Sequence, residues 1–236
     1  MITDTPIAVL DFETTGFPPG ARAVEVAVVH LDRGEITDRW STLIDPGIPI
    51  PPNVAKIHGI TDEIVRGSPS FAGILGELCD CLEGRTIAAY NAPFDQAIMR
   101  AELDRLPSRT RADRLVSTPW IDPLVWVRKL EPVGPRSLSA VAARMGIRLD
   151  GAHRAEADAT ATALVLAKLA GRLPPTMREL AAAQGKICSR QRRDFLEWRE
   201  RLEAAVARYA EAGLVDPSAP FSVSLVGDPV EVGGGE

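Results

Sequence analysis

Four carboxylates spread over three short stretches set the strongest limit on what this chain can fold into. They are Asp11 and Glu13 in Asp11-Phe12-Glu13-Thr14-Thr15-Gly16, Asp95 in Asn91-Ala92-Pro93-Phe94-Asp95, and Asp158 in His153-Arg154-Ala155-Glu156-Ala157-Asp158. A fold that gathers them must offset the repulsion between converging acids, and the usual cation is a pair of divalent metals. Two hard ions held by carboxylates form a device for cutting phosphodiesters.

The surrounding sequence says how such a fold is built. Residues 7–10 read as a short buried strand leading into Asp11, and the valine-rich run 24–31 as a strand buried on both faces. Residues 35–44 suggest a third strand, ended by Asp45-Pro46-Gly47, with a proline-rich connection over 48–53 and a turn at His58-Gly59-Ile60-Thr61. Residues 86–90 and Trp120-Ile121-Asp122 give two more strands. Phe71, Ile74, Leu75, Leu78 and Leu82 recur at helical spacing. Further helices are expected over 93–106, over 137–145 before Gly146, and over 155–170 before Gly171. A meander of strands followed by alternation with helices predicts an α/β layered domain with a mixed sheet.

Each motif takes its chemistry from its place. Side chains alternate along a strand, so Asp11 and Glu13 point to one face and Phe12 into the opposite layer. Gly16 and the two threonines add a tight turn whose backbone N–H groups suit a nucleotide. Asp95 falls in the first turn of a helix that Pro93 helps to start, where the helix dipole favours a carboxylate. Asn91 just ahead reads as a turn or capping residue. On one helix His153 and Asp158 would stand about 140° apart, too far for a shared face. The pair makes sense with His153 on the loop after Gly151 and Asp158 inside the helix. An imidazole held over the site is suited to take a proton from water. Taken singly, Asp-x-Glu is also an ordinary strand end, Asp95 an ordinary helix-start acid and His153 an ordinary loop histidine.

Together, in this order, the three motifs resemble the DEDDh family of 3′→5′ exonucleases, which includes the proofreading subunit of bacterial replicative polymerase, RNase T and oligoribonuclease. The likeness runs from about Ile7 to Gly171 and includes Lys56-Ile57-His58-Gly59-Ile60-Thr61. It implies an RNase H-like exonuclease fold, a five-stranded mixed sheet flanked by helices. It also implies two divalent ions, Mg²⁺ or Mn²⁺. Asp11 would bridge both ions, Glu13 and Asp158 would hold the first, and Asp95 the second. His153 would deprotonate the attacking water, and the second ion would stabilise the leaving 3′-oxygen. Phe12, Thr14, Thr15 and His58 would touch the terminal nucleotide, although His58 reads almost equally as a packed or capping residue. His30 has only a structural reading. Tyr90 stands where many relatives have histidine, which alters a pocket wall without removing a chemical residue.

The implied activity is release of nucleoside 5′-monophosphates from single-stranded or frayed 3′ ends, with DNA favoured. An exoribonuclease, or a non-catalytic nucleic-acid-binding or polymerase-associated scaffold, is the alternative; loss of an acid would mark the scaffold, and none is lost. The net charge of −5 and pI near 5.4 argue against tight, sequence-independent binding along a duplex, but not against gripping a strand end.

We divide the chain into an exonuclease domain over 1–173 and a helical C-terminal extension with a frayed tail over 174–236. In the extension we expect a short helix over 176–183 and a longer one over 190–212. Its stripe of Phe195, Trp198, Leu202, Ala205, Val206 and Tyr209, behind Lys186, Arg190, Arg192 and Arg193, reads as a helix packed on the catalytic domain with a solvated basic face. A polymerase subunit or a second copy on that helix is the alternative. Cys79, Cys81 and Cys188 follow no metal or disulfide spacing and read as reduced and structural. Without an apolar run of roughly 20 residues or a signal-like start, the expected compartment is the cytoplasm, with no membrane partner.

Overall fold

Strand β1 (Ile7–Thr14) sits inside a four-stranded sheet of order β3-β2-β1-β4. The computed structural model describes residues 4–18, 20–107, 112–131 and 133–211. β1 pairs antiparallel with β2 (Ala23–Asp32), which pairs antiparallel with β3 (Glu35–Leu43), while β4 (Thr86–Ala88) runs parallel to β1. The expected fifth strand at 120–122 shrinks to one parallel bridge between Ala88 and Ile121. The reason is local: Asp122 caps the next helix, and Pro123 turns the chain into it before a ladder can extend.

The alternation of β1 and β2 divides the interior in two. Ile7, Val9, Ala27 and Val29 pack on one face with Ala159, Ala163 and Leu166 of a helix over Ala155–Leu169. Ala8, Leu10, Phe12, Val26 and Val28 pack on the other with Phe71, Leu78, Ile98 and Met99. Those come from helices over Phe71–Leu82 and Ala92–Asp104. A sheet sandwiched between helical layers buries both faces, which is why β2 is apolar almost throughout.

In chain order the α-helices are α1 (Pro52–His58), α2 (Asp62–Val65), α3 (Phe71–Leu82), α4 (Ala92–Asp104) and α5 (Asp113–Ser117). They continue with α6 (Pro123–Leu130), α7 (Leu138–Arg144), α8 (Ala155–Leu169) and α9 (Met177–Glu211). The segment read as proline-rich connection and turn contains α1, which Pro52 starts and Gly59, at φ 75°, stops. The two helices expected in the extension are a single one, α9. No proline interrupts it, and Gly185 alone costs only about 1 kcal/mol in a helix interior.

Gln184 fastens α9 to the rest of the molecule. Its Oε1 accepts from the Asp122 amide (2.9 Å) and from Trp126 Nε1 (3.1 Å), and its Nε2 donates to the Trp120 carbonyl (2.8 Å). Further along, the rings of Phe195 and Trp198 lie 5.7 Å apart, with Trp198 exposed. The side chains of Leu202, Ala205, Val206 and Tyr209 and the tail from 212 lie outside the described residues. None of the three cysteines forms a disulfide; Cys79 is core, whereas Cys188 is exposed. Among the described residues no helix is long and apolar enough to cross a membrane.

Candidate active site

The phase of β1 decides where its acids go. Asp11 and Glu13 continue the series Ile7, Val9 and so emerge beneath α8, whose first turn carries Asp158. One ligand oxygen from each of Asp11, Glu13 and Asp158 lies within 4.8 Å of the other two. His153 stands on the loop ahead of α8, in the left-handed conformation at φ 63°, and its amide donates to Asp158 Oδ2 at 3.2 Å. The loop-then-helix arrangement is the expected one, and it leaves the His153 side chain exposed at the rim.

Asp95 arrives from the opposite layer. It lies in the first turn of α4 and is buried, with Oδ1 accepting the Phe12 amide at 3.1 Å. That bond ties α4 to the strand between Asp11 and Glu13. Asn91 is a turn residue, as expected: it sits at φ 66° with no side-chain cap. Its amide donates to Asp122 Oδ1 at 3.0 Å, and Tyr90 is anchored by its hydroxyl on the Arg136 carbonyl. Asp122 Oδ1 also takes the Leu124 amide at 2.9 Å, so one buried carboxylate launches both α4 and α6.

All four acids are held above the usual carboxylate range, and for related causes. Burial lifts the Asp11 carboxyl most, and the negative charges of Asp95, Asp158, Glu13 and Glu25 lift it further. Glu13 is pushed up to about 8, by burial first and then by Asp158 and Glu25, against a smaller opposing pull from Arg154. Burial raises Asp95 too, partly offset by the Phe12 amide. Asp158 is raised by burial and eased by the His153 amide and ring. Its Oδ1 is buried and has no hydrogen-bond partner.

These observations test the fit of a divalent cation, and it fits. Three oxygens converge, Asp158 carries a buried oxygen without a hydrogen-bond partner, and the charge of a fourth acid, Asp95, acts on Asp11. Hard oxygen donors of this kind suit Mg²⁺ or Mn²⁺. A cation would offset the burial that lifts all four carboxyls and the repulsion that adds to it at Asp11, Glu13 and Asp95.

The side chains of the residues expected to touch a nucleotide also make contacts within the protein. The Phe12 ring is 4% exposed and packs in the second core, 6.4 Å from the Phe71 ring. Thr14 Oγ1 donates to the Gly16 carbonyl at 2.7 Å, and Thr15 Oγ1 accepts the Arg22 amide at 3.0 Å, so both hydroxyls build the loop. The turn's N–H groups are committed as well, Thr15 N to the Arg22 carbonyl and Gly16 N to Thr14 Oγ1. His58 is buried: Nδ1 accepts the Ile60 amide, which leaves Nε2–H to donate to the Thr14 carbonyl. Burial lowers its basicity and keeps the ring neutral. Both ring nitrogens of His58 bond to backbone.

Sequence reasoning passed over the residues that hold the site in place. Glu102 on α4 accepts Arg22 Nε (2.8 Å) and the Ala23 amide (2.9 Å), clamping α4 to the loop after β1. Glu25 on β2 accepts the Arg154 guanidinium and the Ala155 amide. The available signals were an acid inside a valine run, an acid on the Ile98-Met99-Leu103 face of a helix, and Asp-Pro at 122–123.

Residues 8–166 match the RNase_T family model, described as an exonuclease. The DNA polymerase III subunit epsilon of Treponema pallidum is 34% identical over 152 residues, covering 63% of this chain and 69% of that protein. A PolC-type DNA polymerase III of Clostridium perfringens is 32% identical over 165 residues, 69% of this chain but 11% of the polymerase. This chain therefore spans about a ninth of the PolC-type relative it matches. Among solved structures, Exonuclease X in complex with 5′-overhanging duplex DNA superposes with a TM-score of 0.61 at 25% identity. That match covers 75% of this chain and 99% of that one. The nuclease domain of 3′hExo bound to rAMP shares the fold, with a TM-score of 0.60 at 20% identity over 71% of this chain and 92% of that one.

Proposed function

The chain belongs to the RNase_T family of exonucleases, and on that premise we propose that it is a metal-dependent 3′→5′ exonuclease acting on single-stranded or frayed DNA ends. The carrying observation is the convergence of Asp11, Glu13 and Asp158, with Asp158 Oδ1 buried and unpartnered. In this reading those three acids and Asp95 hold two divalent ions, Mg²⁺ or Mn²⁺. Such ions supply Lewis-acid polarisation of the phosphodiester and positive charge for the leaving oxygen.

The chain's own groups do the rest. His153, exposed at the rim, accepts the proton of the attacking water as its oxygen joins phosphorus. The P–O3′ bond breaks, the leaving oxygen takes a proton, and the products are a nucleoside 5′-monophosphate and a strand one nucleotide shorter with a free 3′-hydroxyl. Asp95 pins the Phe12 amide and so fixes the strand between the two β1 acids. Thr14, Thr15, Phe12 and His58 shape the floor on which the terminal nucleotide lies, through the backbone that they hold.

The polymerase III names of the relatives favour DNA and service to a polymerase. With Mn²⁺ the purified protein is expected to shorten a 5′-labelled single strand of DNA from its 3′ end, and EDTA to stop it. The same strand made of RNA is the companion substrate, and faster cleavage of RNA would reverse the sugar assignment. A protein that binds the strand and leaves it intact would overturn the enzymatic reading.

A further inference from the structure

Glu25 faces Glu13 directly across β1 and β2, which places both on one side of the sheet. Only Glu13 belongs to the converging acids. Glu25 is 4% exposed, and its two oxygens are occupied. Oε1 takes Arg154 Nη2 at 2.5 Å, while Oε2 takes Arg154 Nε at 3.1 Å and the Ala155 amide at 2.9 Å. The guanidinium thus grips the carboxylate with two nitrogens, a planar fork that lysine cannot reproduce.

The three residues held by this grip are consecutive, and each has a separate task. Ala155 N–H is one of the amides that α8 leaves without an intrahelical partner. Arg154 stands at the N-cap with no side-chain cap of its own, so Glu25 performs that role from a different element. His153, immediately before, is held at φ 63°, a left-handed conformation that residues other than glycine seldom adopt. Asp158 lies one turn beyond and receives the His153 amide. Any shift at Arg154 and Ala155 moves the histidine on one side and the carboxylate on the other.

We propose that Glu25 and Arg154 are positioning residues, a clamp between β2 and the start of α8 that sets His153 and Asp158 over Asp11 and Glu13. The assignment rests on the exonuclease reading and extends it to residues that neither ligate nor touch the reacting atoms. Partners that orient the residues of a metal site typically change affinity or activity by about 10–100-fold when lost.

The test uses the full chain with Glu25→Gln, which keeps the shape and an acceptor for Ala155, and Arg154→Lys, which keeps the charge and loses the fork. The double substitution Glu25→Gln/Arg154→Lys completes a cycle. Turnover and KM are read on single-stranded DNA with Mn²⁺, and Mn²⁺ affinity is read by calorimetry without DNA. The clamp predicts that each single change lowers kcat by about 10–100-fold while KM moves less than about threefold. It also predicts weaker Mn²⁺ binding, and a double variant no slower than the worse single one. Folded single variants with near-normal kcat and Mn²⁺ affinity would overturn it, as would losses that multiply fully in the double. If the wild-type chain binds Mn²⁺ but cleaves nothing, the nuclease reading fails separately. The clamp is then judged by calorimetry alone, and unchanged Mn²⁺ affinity in Glu25→Gln refutes it.

Discussion

Stripping divalent cations with EDTA should make the protein less stable as the pH rises, and Glu13 sets the scale. Its carboxyl, ordinarily near 4.5, is pushed up to about 8 in the folded chain, by burial above all and then by Asp158 and Glu25. The folded state therefore keeps a proton that the unfolded chain has already released. That contribution is complete below about pH 4.5 and is lost as the pH climbs through about 8. The window spans about 3.5 pH units, and at ~1.4 kcal/mol each the ceiling is about 5 kcal/mol. Asp11 and Asp95 are lifted too, but interacting acids titrate as a set, so the ceiling applies once to the cluster. Asp122, pushed up to about 6, adds to the same trend in the lower part of the window. Asp32, held down by Arg85, acts with the opposite sign, but only below its ordinary value of 3.8. For a domain of this size 1 kcal/mol is worth roughly 2–4 °C, so melting should fall by on the order of 10 °C between about pH 5 and about pH 8. The assay is thermal unfolding followed by circular dichroism, with EDTA and with Mn²⁺ at both pH values. Mn²⁺ should recover most of the loss at the higher pH. A metal-free melting temperature that is flat or rising across the interval would refute the reasoning, because the cluster would then not be a repelling set awaiting a cation.

Three further outcomes are expected. Asp158→Asn should abolish cleavage and, without metal at about pH 8, raise stability by about 1 kcal/mol, since it removes one repelling charge; nuclease assay and urea unfolding check the two halves. His153→Ala should lower kcat by about 10²–10⁴-fold while strand affinity measured in Ca²⁺ stays near normal, a split read by steady-state kinetics and fluorescence anisotropy. Gln184→Ala strands the Asp122 amide, the Trp126 indole N–H and the Trp120 carbonyl, and should cost about 2–4 kcal/mol, seen as a lower urea midpoint at constant slope.

What was legible in the sequence was whatever one residue period could carry. The valine run over 24–31 announced a doubly buried strand, and the apolar spacing from Phe71 to Leu82 announced a helix. Alternation alone put Asp11 and Glu13 on one face and Phe12 on the other. The angular argument separating His153 from Asp158 placed one on a loop and one in a helix. Long-range hydrogen bonding stayed hidden. Glu25 reads as an interruption of a strand until Arg154, 129 positions later, is laid over it. The bonds that tie the Thr14 hydroxyl to the Gly16 carbonyl and the Thr15 hydroxyl to the Arg22 amide leave no mark in the sequence. The continuity of α9 depends on the absence of any strong breaker between two weak helical signals, and the brevity of the pairing at Ile121 on a cap and a proline just beyond it.

The shared phase of core and chemistry in β1 bears on how such a chain can change over time. The alternation that buries Ile7 and Val9 against α8 is the same one that delivers Asp11 and Glu13 beneath Asp158. A one-residue insertion or deletion ahead of Asp11 would turn the acids into the layer of Phe71 and Met99 and expose the misfit to folding itself. Length changes within the strand are therefore removed as unfolded protein before they can persist as inactive enzyme. Drift in this segment is confined to substitution. Surface loops that hold neither the register nor the site are free of that restriction, and they are where descendants of this chain can lengthen and shorten without losing their place in register.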